Sequence, residues 1–140
     1  MLNYKGLLMA ETLLPAILVV EDDLENQKFL KIFLKRSFEV KMCDNDEEFY
    51  NILNNNHIDI ILMDISLRGN KDGFQLTQEL KASEKFKNIP IVGLSAHALR
   101  RDKDNASNAG VDVFLTKPVD ANVLLNTLLA ALEGKTPNLY

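Results

Sequence analysis

At 140 residues the chain has the length of one domain with room for a proper core. Its composition, 46% apolar and 26% charged, is that of a soluble globular protein, and a net charge of −4 argues against a nucleic-acid-binding surface, which carries a basic excess. The single cysteine, Cys43, excludes an internal disulfide, so nothing points to an oxidising compartment.

The first fifteen residues contain Leu7-Leu8-Met9-Ala10 and Leu13-Leu14, but Glu11 interrupts them and only Lys5 precedes them with a positive charge. A signal peptide needs a longer apolar run, and a membrane span needs about 20 residues. Residues 1–15 therefore read as an extension ending at Pro15, either a short helix packed on the body or a partner, or a frayed terminus.

From Ala16 onward strand and helix patterns alternate. Residues 17–21 read as a strand and 23–36 as a helix that buries Leu30, Phe33 and Leu34. A short strand follows at Glu39–Cys43. Lys41 and Asp44 stand close enough to tune the Cys43 thiol, yet a lone cysteine at a strand end reads first as a small packed side chain. Asp44 or Asp46 is the expected cap of a helix over 47–54 that turns Phe49 and Leu53 inward. Residues 58–63 form the most hydrophobic strand. The polar loop 66–73 leads to a helix over 74–83 carrying Leu76 and Leu80.

Pro90 suits the start of a strand over 91–94, where no ladder donor is required. A polar helix over 98–109 stops at Gly110, a strand covers 111–115, and a last helix covers 121–132. Five strands alternating with five helices imply a parallel sheet covered on both faces. In the last helix, Leu124, Leu125, Leu128, Leu129 and Leu132 exceed one narrow stripe. A wide core-facing stripe is the first reading, with a dimer or partner face for any surplus. The tail from 134 to 140 reads as flexible.

Three of the strands stop at a charge: Ile17-Leu18-Val19-Val20-Glu21-Asp22, Ile60-Ile61-Leu62-Met63-Asp64 and Phe114-Leu115-Thr116-Lys117-Pro118. Buried parallel strands are near-continuous apolar runs, and open α/β sheets bind ligands at the strands' carboxyl ends. Glu21, Asp22 and Asp23 exceed what capping the next helix requires, although Asp23 alone fits that task. If Asp64 joins them, the like charges must take up a cation or a proton. Carboxylate oxygens suit Mg²⁺, which favours sites that also hold phosphate.

A carboxylate such as Asp64 can attack phosphorus to give an aspartyl phosphate, with Mg²⁺ neutralising the charge that develops. Lys117 can add a point charge, and Ser95 with the Ala96 N–H can add hydrogen bonds. Taken singly, Ser95 reads as a helix cap ahead of Ala98 and Lys117 as a solvated loop lysine. Their placement at successive strand ends is what argues for a shared site.

These segments, with Leu62-Met63-Asp64-Ile65-Ser66-Leu67 and Gly93-Leu94-Ser95-Ala96-His97-Ala98, resemble the receiver domains of two-component response regulators over residues 16–133. No single motif would suffice, but the set is specific. The resemblance implies a flavodoxin-like, doubly wound (βα)₅ fold with a five-stranded parallel sheet. It divides the chain into an extension at 1–15, a receiver at 16–133 and a tail at 134–140.

It further makes Asp64 the phosphoacceptor, Asp22 a direct Mg²⁺ ligand, Glu21 a ligand direct or through water, and the Ser66 main-chain carbonyl a third protein ligand. Ser95 takes the switching Ser/Thr position and Lys117 that of the phosphate-contacting lysine, followed by a usually cis proline. Phe114 takes the aromatic switch position, able to rotate inward but lacking a hydroxyl. The implied partners are a sensor histidine kinase or a histidine phosphotransfer protein. Downstream stands a protein target or a homodimer, with no nucleic acid and no membrane, in the cytoplasm.

Phosphorylation of Asp64 would move Ser95 and Phe114 and alter the surface of the fourth helix, fifth strand and fifth helix. Such a domain assists its own phosphoryl transfer and dephosphorylation without being an enzyme for external substrates. The loop from Asp64 to Gly73 is one residue longer than usual and lacks the usual proline after Leu67, as in receivers of hybrid kinases. Ser66 and His97 fall at positions that tune phosphoryl lifetime. The alternative is a receiver-like interaction module that is not phosphorylated, against which the intact set of acids, Ser95 and Lys117 argues. A hydrolase of external phosphates lacks a cap domain here, and the acidic first turn would repel a flavin phosphate.

Overall fold

The computed structural model describes residues 13–65, 72–96 and 100–134, excepting the side chains of 100–103 and 106. Within them run β1 (Ala16–Val20), α1 (Leu24–Leu34), β2 (Glu39–Cys43), α2 (Asp46–Asn55), β3 (Ile60–Asp64), α3 (Gly73–Ala82), β4 (Ile91–Ser95), α4 (Arg100–Ala109), β5 (Val113–Thr116) and α5 (Ala121–Leu132). The strands form one parallel sheet in the order β2-β1-β3-β4-β5. β1, β3 and β4 are buried along their whole length, as their unbroken apolar runs require.

Alternation along each strand splits the core in two. Leu18, Val20, Ile61 and Met63 face Phe49 and Leu53 of α2 and Leu76 and Leu80 of α3. Ile17, Val19, Ile60 and Leu62 face Leu30 and Leu34 of α1 and Leu124 and Leu128 of α5. Fully burying an aliphatic side chain contributes about 1.5–3 kcal/mol, so these two layers hold the sheet between its helices. Phe33, expected in the core, packs only partly buried at its margin. In α5, Leu125 and Leu132 are partly buried and Leu129 is exposed, so the leucine stripe is mostly core.

Several boundaries differ from expectation for local reasons. The cap of α2 is neither Asp44 nor Asp46 but Asn45, whose Oδ1 accepts the Glu48 N–H at 2.9 Å. Asp44 instead accepts from the Asn45 side chain at 2.7 Å, and Asp46 is already helical, where its charge favours the positive helix end. β5 begins two residues later than expected. Gly110, at φ +99°, ends α4, and Asp112 turns its carboxylate to accept the Ile91 N–H at 2.7 Å and Lys81 Nζ at 3.0 Å. The extension at 1–12, the loop at 66–71, residues 97–99 and the tail from 135 lie outside the described residues.

Candidate functional site

Strand order reverses direction between β1 and β3, and it is at such a point that the carboxyl ends of an open α/β sheet leave a crevice. Val20 pairs with Met63, so Glu21 lies level with Asp64. Asp64 pairs with Leu94, and Ser95 with Thr116. The register alone therefore brings Glu21, Asp64, Ser95 and Lys117 to one rim. Carboxylate oxygens of Glu21, Asp22 and Asp64 lie within 4.8 Å of one another. Lys117 Nζ stands 3.4 Å from Glu21 Oε1 and 3.5 Å from Asp64 Oδ2.

Glu21 and Asp64 are buried and Asp22 is half-buried. Burial pushes the Glu21 carboxyl up to about 7, reinforced by its hydrogen bond to Asp64 and by the Asp64 charge. Lys117 and the Asn26 side chain oppose the shift without cancelling it. Without a divalent cation the cluster thus balances its like charges with one lysine and a readily bound proton. Three converging carboxylates, all hard oxygen donors and two of them shielded from water, fit a small divalent cation such as Mg²⁺. Asp23 does only what capping requires, accepting the Asn26 N–H at 2.9 Å.

Ser95 is buried at the end of β4, and its carbonyl accepts the Lys117 N–H at 2.7 Å, which ties the lysine's backbone to the rim. The Lys117–Pro118 bond is cis. Phe114 is half-buried on edge strand β5 and packs against the core layer that includes Ile65 and Ile91. Ser66 and His97 lie outside the described residues, as does the expected loop departure. Beside the acids, between α1 and α5, opens a cavity of ≈ 380 Å³ walled by Phe29, Leu30, Leu94 and Leu124.

The model of the response regulator receiver domain matches residues 17–129. The chain belongs to that family. Over 118 residues this receiver is 34% identical to the sensor histidine kinase RcsC of Escherichia coli K12, covering 84% of the chain but only 12% of RcsC. Against the polar-differentiation response regulator DivK of Brucella ovis it is 26% identical over 118 residues, 84% of the chain and 95% of DivK. Its fold superposes with a TM-score of 0.78 on the receiver domain of sensor histidine kinase PA1611 from Pseudomonas aeruginosa. That domain is 30% identical, with 86% of this chain and 99% of that one covered, and its structure has a magnesium ion coordinated in the active-site cleft. The protein is thus homologous to phosphoacceptor domains of two-component systems, a family that pairs with histidine kinases or phosphotransfer proteins. No helix among the described residues is long and apolar enough to cross a membrane.

Two contributors to the site escaped sequence reasoning. Gly73, the first residue of α3, sits where an added Cβ would lie 2.7 Å from the Asp64 carbonyl oxygen and 2.8 Å from Ile65 Cα. Glycine there lets α3 start directly against the backbone that presents Asp64. The Gln27 side chain, on α1, donates to the Glu21 carbonyl. In sequence Gly73 closed the polar loop before the helix, and neither contact leaves a local pattern, because both depend on how a helix docks at the rim.

Proposed function

We propose that Asp64 accepts a phosphoryl group from a phosphohistidine, and that the receiver relays the signal through the surface of α4, β5 and α5. The observation that carries this reading is the convergence of Glu21, Asp22 and Asp64 with Lys117 set against two of them. An Asp64 carboxylate oxygen attacks phosphorus, the P–N bond to the donor imidazole breaks, and its electron pair returns to the ring nitrogen. Glu21, Asp22 and Asp64 would hold Mg²⁺, joined by the Ser66 main-chain carbonyl that the family resemblance implies. When bound, that ion supplies charge neutralisation for phosphoryl oxygens. Lys117 leaves its carboxylate partners for the phosphoryl group, and Ser95 donates its hydroxyl to it. Phe114 then turns into the space Ser95 vacates. The receiver occupies residues 16–133, acts in the cytoplasm, and takes its phosphoryl group from a sensor kinase or histidine phosphotransfer protein.

Intact-mass spectrometry after incubation with acetyl phosphate, with and without Mg²⁺, tests this on wild type and Asp64→Asn. One phosphoryl group is expected on wild type with Mg²⁺ only, and none on the variant. If neither acetyl phosphate nor a phosphohistidine protein loads the wild type, the chain is an interaction module and the proposal fails.

A further inference from the structure

The turn that carries two of the three acids is tied down by a residue outside the cation cluster. Glu21 N–H donates to the Cys43 carbonyl at 3.0 Å, which anchors the turn to the end of β2. The next peptide unit, joining Glu21 to Asp22, is held from both sides. Its N–H, that of Asp22, donates to Glu21 Oε2 at 3.1 Å, and its carbonyl accepts Gln27 Nε2 at 2.5 Å. That peptide plane sets the direction in which the Asp22 side chain leaves the backbone. Gln27 is uncharged, half-buried and one turn into α1. The helix does not need its side chain, since Asp23 already caps α1 and the Gln27 N–H already bonds the Asp23 carbonyl at 2.9 Å.

We propose that Gln27 is a positioning residue for the divalent-cation site: its amide fixes the Glu21–Asp22 peptide so that both carboxylates stay aimed at Asp64. This rests on the reading of Glu21, Asp22 and Asp64 as a cation site. Like charges held this close repel, and a turn free to rotate would part them when no cation is bound. Groups that orient metal ligands typically change affinity by about 10–100-fold, and a single uncharged hydrogen bond belongs at the lower end.

The test is a Mg²⁺ titration followed by NMR amide shifts on wild type, Gln27→Met, Gln27→Leu and Asp22→Asn. Thermal midpoints and amide exchange are measured alongside in EDTA. Gln27→Met and Gln27→Leu keep the side-chain bulk and lose the donor. They are expected to bind Mg²⁺ about tenfold more weakly and to exchange the Asp22 and Asp23 amides faster, with metal-free midpoints near that of wild type. Unchanged Mg²⁺ affinity in both variants would overturn the inference while leaving the site reading intact. So would a loss of affinity no larger than their loss of thermal stability explains. Absence of saturable Mg²⁺ binding in wild type, or wild-type binding by Asp22→Asn, would overturn the site reading and this inference together.

Discussion

At the scale of single residues the acid cluster is a compromise between function and stability. Glu21 has its pKa raised from 4.5 to about 7, so the folded chain binds its proton more tightly than the unfolded chain does. The sign follows from linkage. The Glu21 contribution is most favourable below pH 4.5, is lost as pH rises from 4.5 through 7, and is level above that. The full loss is at most about 3 kcal/mol. Thermal midpoints in EDTA should therefore fall between pH 5 and pH 8, and Glu21→Gln should flatten that fall; an equal fall in the variant would place the titration elsewhere. Gly73 makes a second residue-scale case. Because the atoms nearest an added Cβ are backbone, nothing cheap can move aside, and Gly73→Ala should cost about 1–3 kcal/mol in denaturant unfolding.

At the scale of elements, capping decided boundaries that hydrophobic spacing left open by a residue or two. Two acidic candidates, Asp44 and Asp46, flank the start of α2, yet Asn45 makes the cap because its backbone is extended there and its Oδ1 reaches the Glu48 N–H. Asn45→Ala should lower stability by about 1 kcal/mol, and Asp46→Ala by a few tenths through the helix dipole alone. Chemical denaturation of the two variants separates these assignments. α3 starts with a reciprocal capping box between Asp72 and Gln75, and the buried Thr77 hydroxyl bonds the Gly73 carbonyl at 2.8 Å. These bonds fix the helix end that lies against the Asp64 backbone. Cys43, closing β2, is buried with its thiol pushed up to about 12, which suits a packed side chain and not a reactive one.

At the scale of the molecule, the two core layers carry stability while the rim carries the chemistry, so the two should separate under mutation. Lys117 is partly exposed at the rim, and among the described residues its side chain bonds the carboxylates of Glu21 and Asp64. Lys117→Ala should keep a native NMR spectrum and the wild-type unfolding cooperativity, yet fail to accumulate or transmit the phosphorylated state. Collapse of the spectrum would make Lys117 a structural residue. Charge repulsion among the acids is also the reason a bound divalent cation should act on the whole fold. At a hundredfold excess over its Kd, Mg²⁺ should raise stability by about 2.7 kcal/mol, and Asp64→Asn should abolish most of that gain in a thermal melt.

Most of the fold was legible along the chain, because unbroken apolar runs announce buried parallel strands and 3.6-residue spacing announces helices. β2 and α5 match their expected limits, and the other described elements fall within one or two residues of them. The acids and Lys117 were legible for the same reason, since each stands just where an apolar run stops. What a sequence cannot carry is distance across elements. That Glu21 rather than Asp22 becomes the buried acid paired with Lys117 follows from β1 ending at Val20 and from the β1–β3 register. That Gly73 must lack a side chain, and that Gln27 reaches the Glu21 carbonyl, follow from helices docking on that rim. Local patterns place the end of each strand to within a residue; only packing between elements settles which of those ends touch.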